Sequence, residues 1–258
     1  MTLSAPEPAL RRTAVRGLTT RLGVQGDWYV RVVKLDTYVA RSATVSGHVS
    51  AAFGHAISGE GGRPYAWHIM SAAHERSATV LVTSRTAISD ESIYTYAGEL
   101  VDRVHAIASD RFRCVAGIGG SQVGLERART SFRQAELAAA AGEKVLPGPV
   151  IDWTKLGELA ILLQLPLGDS AEDRLPDEVQ RLLAYDKDGR SVETVQAFLD
   201  HAGSAPDTAD ALHVHRTTLY YRLERISEAT GLDLDDGRTR LVLHLGLRLR
   251  ELLRQQPQ

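Results

Sequence analysis

The 258-residue chain has one cysteine, Cys114, and two methionines, and only four of its 30 basic residues are lysine (Lys34, Lys144, Lys155 and Lys187). A single thiol excludes an internal disulfide framework and every zinc site built on paired cysteines, and it fits a reducing compartment. Long apolar runs are missing too. The longest, such as "AILLQL" from Ala160 to Leu165, fall far short of the roughly 20 residues that span a bilayer. The first 17 residues, "MTLSAPEPALRRTAVRG", have no apolar signal core. A cytoplasmic protein with no membrane partner is expected. Neither sign of charge dominates: 30 basic against 32 acidic residues leave a net charge of −2, so any binding to nucleic acid requires locally arranged charge. No fixed-period repeat stands out, and an apolar fraction of 43% suffices for a packed core in each of two modest domains.

Beyond an N-terminal extension (1–24), residues 25–155 read as an α+β domain. "DWYVRVVKLDTY" is rich in Val and aromatics and reads as a strand. "SATVSGHVSAAFGHAISGEGG" follows with Val45, Val49, Phe53 and Ile57 at helical spacing. "YAWHIMS" and "ATVLVTS" form a hairpin across "AAHER" (Ala72 to Arg76). The next helix opens at Ser89 or Asp90 as cap and presents Ile93, Ala97, Val101, Val104 and Ile107 on one face. "CVAGIGG" reads as a buried strand, "GLERARTSFRQAELAAAAG" as a helix closed by Gly142, and "KVLPGPVIDW" as a last strand. An antiparallel sheet with helices on one face is the economical way to bury this β-α-β-β-α-β-α order. A short helix and a polar linker (156–176) lead to an all-α region, 177–258. Its last element sets Leu241, Leu243, Leu245, Leu247 and Leu249 at strict alternation, a strand template. The scarcity of β-branched residues and the acids before it (Asp235, Asp236) favour a helix instead.

Within that region "SAPDTADALHVHRTTLYYRLERI" reads as helix, tight turn, helix. Ser204 and Asp207 have capping-box spacing, and Pro206 is tolerable in a first turn. Ala209 and Leu212 face inward, Val214 plugs the turn, and Leu219, Leu223 and Ile226 recur at helical steps. His213 stands where such turns usually carry Gly and is expected in a left-handed conformation. At 100° per residue, Thr217, Thr218, Tyr221 and Arg225 then point outward, with Arg216 and Tyr220 on one flank and Arg222 on the other. Hydrogen-bonding groups crowded on the first two turns suit a helix that enters a major groove: side chains reach base edges while arginines neutralise phosphates. Arg216 and Arg222 are assigned to phosphate or guanine, Thr217, Thr218 and Tyr221 to base edges, and Tyr220 to the backbone, with Arg225 beside them.

"LLAYD", "ALHVHR", "TLYYRL" and "TGLDLDD" carry a resemblance, over residues 182–249, to the C-terminal DNA-binding domain of the PucR/CdaR family of bacterial transcriptional regulators. Residues 25–155, including "GIGGSQVGLERARTSFRQA", resemble the GGDEF-like domain that precedes it in that family. The resemblance implies a ferredoxin-like, degenerate cyclase domain followed by a helix-turn-helix domain. It also implies a homodimer on double-stranded operator DNA, with no catalysis, no cofactor and no metal. Thr217 departs from the Asn frequent at that position.

Rival chemistry finds little support. The Ala72–Arg76 hairpin lacks the Gly-Gly-Asp/Glu-Glu-Phe residues of an active cyclase, Glu75 is its one acid, and Asp36 reads as a strand carboxylate rather than a metal ligand. "GIGGSQVG" (Gly117 to Gly124) matches neither Gly-x-Gly-x-x-Gly nor a P-loop and reads as a plain turn. His213 and His215 have no third ligand at metal spacing, and Cys114 reads as a small core residue. The alternatives that stay open are a nucleotide-binding or degenerate cyclase-like signalling protein, and an adaptor whose helices dock on RNA polymerase. An effector of unknown identity is left open as well.

Overall fold

The computed structural model describes residues 28–38, 46–58, 66–74, 76–108, 112–144, 146, 148–164 and 175–254, with Ala9, Thr13 and Gly17 singly. Glu75, the N-terminal extension apart from those three residues, and the linker up to 174 lie outside the described residues. The chain divides into two compact units, Met1–Gln164 and Leu165–Gln258.

The first unit is built on strand β1 (Tyr29–Tyr38), which runs at the centre of a six-stranded sheet. Helix α1 (Ser46–Ser58) leads to the hairpin of β2 (His68–Ala73) and β3 (Ser77–Ser84); helix α2 (Asp90–Ala108) leads to β4 (Arg113–Ile118). After a two-residue strand β5 (Gln122–Val123) come helix α3 (Ala128–Lys144), β6 (Val150–Asp152) and the single-turn helix α4 (Leu159–Leu162). The strand order is β2-β3-β1-β4-β6, with β5 beside β1. Ser89 caps α2 through its hydroxyl, which accepts from the Ser92 N–H at 3.1 Å, so the expected start of that helix is the observed one.

Two features differ from the sequence reading. The sheet is mixed, because β6 runs parallel to β4 while the β1–β3, β1–β4 and β2–β3 pairs are antiparallel. Helices also cover both faces. Val33 and Leu35 of β1 pack with Phe53 of α1 and Ile93, Leu100 and Val104 of α2. Val30 and Val32, pointing the other way, pack with Leu125, Ala128 and Ala135 at the start of α3.

The glycines assigned to a plain turn have a packing role in part. A Cβ on Gly117 would collide with the Ala135 carbonyl and the Ala139 nitrogen, and one on Gly119 with the backbone and hydroxyl of Ser131. Their absence lets α3, lined here by Ala135, Ala138 and Ala139, lie directly on β4. Gly142 belongs to the same contact, against Val115 and Ile151. It sits inside α3, which continues to Lys144, so it does not close the helix. Ile107 is 48% exposed and drops out of the apolar stripe expected on α2.

One cation is buried in this core. Arg31 is 0% exposed. It pairs with Asp90 at the start of α2 and with Asp152 of β6 at 3.4 Å, and its Nε donates to the Gly119 carbonyl at 3.0 Å. A buried guanidinium is tolerable only when paired and hydrogen-bonded in this way; here it joins β1, α2, β4 and β6.

The second unit is all helical: α5 (Asp177–Tyr185), α6 (Arg190–Asp200), α7 (Ala205–Ala211), α8 (Arg216–Thr230) and α9 (Gly237–Arg254). Val179, Leu182, Val195, Phe198, Leu219, Leu223, Ile226, Leu243 and Leu247 share one core. The alternating leucines of α9 therefore lie on a helix. Leu243 and Leu247 are buried, whereas Leu241 is 59% exposed. Among the described residues no helix is long and apolar enough to cross a membrane.

Candidate nucleic-acid interface

The turn between α7 and α8 is set by backbone hydrogen bonds. The Val214 N–H donates to the Ala209 carbonyl at 3.0 Å and the His213 N–H to the Asp210 carbonyl at 3.2 Å, the paired bonds of a Schellman motif. His213 occupies the left-handed position that this motif requires, at φ 53°. Val214 then folds back onto the core that contains Ala209, as a residue plugging the turn must. Ser204 does not act as expected: it stands at the start of α7, but its side chain makes no capping hydrogen bond. Its carbonyl instead accepts from both the N–H and the hydroxyl of Thr208, at 3.0 and 2.6 Å.

Helix α8 begins at His215, whose Nδ1 accepts from the Thr217 N–H at 3.4 Å and lies 2.8 Å from the Thr217 hydroxyl. It ends at Gly231, left-handed at φ 67°, with the Arg181 guanidinium donating to the Thr230 carbonyl at 2.9 Å. Each end of the helix thus has at least one of its terminal backbone groups satisfied from within the unit.

Between those ends the helix is divided as its periodicity demands. Leu219, Leu223 and Ile226 are buried. Arg216, Thr217, Thr218, Tyr220, Tyr221 and Arg225 are exposed, and Arg222 is half-buried. The two tyrosines are 59% and 61% exposed, among the most exposed large side chains described. The structure thus brings all seven candidate residues onto one continuous stretch of surface. Thr217 alone is already engaged, through His215. Sequence reasoning did not anticipate that histidine's hold on Thr217. An N-cap is usually Ser, Thr, Asp or Asn, so nothing in the residue type announced it.

The rival sites look different. The Asp36 carboxylate sits 3.6 Å from Lys34 Nζ; burial pushes its pKa up, with Lys34 partly offsetting the shift. Burial, and secondarily Asp36, push the Cys114 thiol up to about 12, as expected of an inert core thiol. Among the described residues no three His, Cys, Asp or Glu side chains are grouped to hold a metal ion.

Comparison with known proteins bears on the same helices. The PucR C-terminal helix-turn-helix domain family matches residues 191–249, from α6 into α9. The carbohydrate diacid regulator of Escherichia coli is 33% identical over 153 residues, 59% of this chain and 39% of that protein. The purine catabolism regulatory protein of Bacillus subtilis is 36% identical over 67 residues, 26% of this chain and 13% of that protein. The chain thus aligns with well under half the length of either relative. Among solved structures, a regulator of polyketide synthase expression from Bifidobacterium adolescentis aligns over 90% of this chain and 88% of that one, at 24% identity and a TM-score of 0.37. Residues 191–249 thus match the PucR C-terminal helix-turn-helix domain family, and the chain is similar over part of its length to a carbohydrate diacid regulator and a purine catabolism regulatory protein.

Proposed function

We propose that the protein is a sequence-specific, DNA-binding transcriptional regulator that works as a homodimer, each copy laying α8 in a major groove. The observation that carries the reading is the division of α8: three apolar residues fix it to the core, while Arg216, Thr218, Tyr221, Arg222 and Arg225 face outward with no hydrogen bond or ion pair among the described residues. Side chains left unpaired on a well-anchored helix are available to bases and phosphates. Arg216 and Arg222 address phosphate or guanine, Thr217, Thr218 and Tyr221 base edges, and Tyr220 the backbone. Two such helices placed about 34 Å apart would read successive major grooves, which is the reason for a dimer.

The first unit, in this reading, is a degenerate cyclase-like, ferredoxin-like domain with a regulatory or dimerising role and no catalysis. The order β2-β3-β1-β4 with α1 and α2 as crossovers supports it. The packing of Gly117 and Gly119 against α3 speaks against an open phosphate cradle at that turn.

Replacing Arg216 and Tyr221 together by Ala tests the central point. The full chain selects a duplex from a random-sequence library, and retardation of that duplex is then compared for wild type and variant. Each good bidentate base contact is worth about 1–3 kcal/mol, so the double variant is expected to lose specific retardation with its circular dichroism unchanged. Unaltered binding refutes the assignment.

A further inference from the structure

A depression beside α8 is lined by Tyr221, Arg222 and Arg225 from that helix and by Arg190, Ser191 and Thr194 from the first turns of α6. It contains three arginines and no carboxylate. Two neighbouring depressions of the same unit are mixed in charge. One, between α6 and α9, has Asp186, Glu193, Asp200 and Glu251 among its walls; the other, on the far side of α8, has Glu224, Asp233 and Asp235. The wholly basic depression adjoins Tyr221, Arg222 and Arg225 of the reading helix, while Tyr220 borders the second, mixed one.

Its arginines are unequal. Arg222 and Arg225 have no ion pair or hydrogen bond among the described residues. Arg190 stands 3.4 Å from Asp188, but their side chains are 75% and 59% exposed, and a pair that open to water contributes little. The peptide N–H groups at the start of α6 are taken by the chain itself: Asp186 accepts from Ser191 and Val192, and Asp188 from Arg190. The ligand chemistry of this place therefore comes from guanidinium groups and the Ser191 hydroxyl, not from a helix terminus; the Thr194 hydroxyl is spent on the Arg190 carbonyl at 2.7 Å. Guanidinium forks flanked by a hydroxyl donor match a phosphate oxygen set.

We propose that this depression seats a backbone phosphate of duplex DNA, with Arg190 closing it from α6, so that two elements separated in sequence clamp one strand while α8 reads the groove. The inference rests on the DNA-binding reading above. A phosphate contact positions the protein without reading sequence, and its signature is therefore electrostatic.

The test uses the full chain with two duplexes, the one it selects from a random library and a scrambled duplex of equal length. Arg190→Gln is expected to weaken both by the same factor and to make the slope of log K against log salt shallower by about 0.9, one phosphate's share. Asp188→Asn keeps the acceptor for the Arg190 N–H and removes the competing charge; it is expected to tighten both. Arg254→Gln, which removes a charge at the end of α9, is expected to leave the slope unchanged. A wild-type slope in Arg190→Gln, or an equal loss in Arg254→Gln, overturns the clamp while leaving DNA binding standing. Failure of the wild-type chain to retain any duplex overturns the DNA-binding reading itself.

Discussion

His213 offers a quantitative test of the turn that aims α8. It is exposed, its backbone sits at φ 53°, and its side chain makes no hydrogen bond among the described residues. Holding an ordinary L-residue in the left-handed region costs about 1–2 kcal/mol. Glycine removes that strain but gives back about 0.5–1 kcal/mol in chain entropy. His213→Gly should therefore stabilise the helical unit by about 0.5–1 kcal/mol, because the Val214 and His213 N–H bonds that close the turn are backbone bonds and survive. For a unit of this size about 1 kcal/mol moves the melting point by about 4–8 °C, so a rise of about 2–8 °C is expected. The two units can be followed separately, since all three tryptophans, Trp28, Trp67 and Trp153, lie in the first. Far-ultraviolet circular dichroism follows the helices of both units, tryptophan fluorescence the first alone. The expected result is a later helical transition with an unmoved fluorescence transition, and His213→Val, β-branched at the same position, should melt earlier than wild type. A His213→Gly protein that melts no later than wild type would refute the strain argument.

Two further outcomes concern the first unit. Arg31→Met leaves the Asp152 carboxylate, whose side chain is 0% exposed, buried without its cation. A loss of about 3–5 kcal/mol is expected, read by denaturant unfolding followed through tryptophan fluorescence, and a loss below about 1 kcal/mol would show that the cluster does not hold the sheet to α2. Asp36 and Glu136 are both pushed up by burial, with Lys34 opposing in each case. A raised carboxyl pKa means that the folded unit binds more protons than the unfolded chain, so the stability this contributes is present at low pH and is lost as pH rises from the ordinary carboxylate range through the raised values. Asp36→Asn should accordingly gain on wild type as pH rises through that window, and a difference between the two that does not change with pH would contradict the assignment.

What could be read in the sequence was mostly what is local. The left-handed His213, the plug at Val214 and the inward line Leu219–Leu223–Ile226 depend on neighbours within a turn or two, and a helical period specifies them. The second face of the sheet was not legible because the signal for it is a pair of missing side chains, Gly117 and Gly119, whose purpose appears only when α3 lies across them. A glycine that permits close approach and one that permits a turn are the same letter. The parallel pairing of β6 was hidden for a related reason. Its strand is only Val150–Asp152, and its direction follows from the crossover through α3 rather than from its own pattern. Nothing in the strand's own pattern marks Arg31 as buried, and only partners 59 and 121 residues away make it a core residue.

The same distinction orders the residues of the reading helix. Periodicity gives the direction of a side chain but not whether its hydrogen bonds are spent. Thr217 points outward as expected, yet its hydroxyl lies 2.8 Å from His215 Nδ1. In the proposed complex it can address a base edge with its oxygen lone pairs while still donating to the histidine, but it can donate to a base only by giving up that contact. Thr218 and Tyr221 are under no such constraint, since neither has a hydrogen-bond partner among the described residues. A hydroxyl free to donate or accept fits more than one base, whereas one that donates to a histidine acts as an acceptor and favours the amino groups of adenine or cytosine. Discrimination at the base opposite Thr217 should therefore be sharper than the residue type alone implies, and that sharpness comes from His215, a residue that need not touch the DNA.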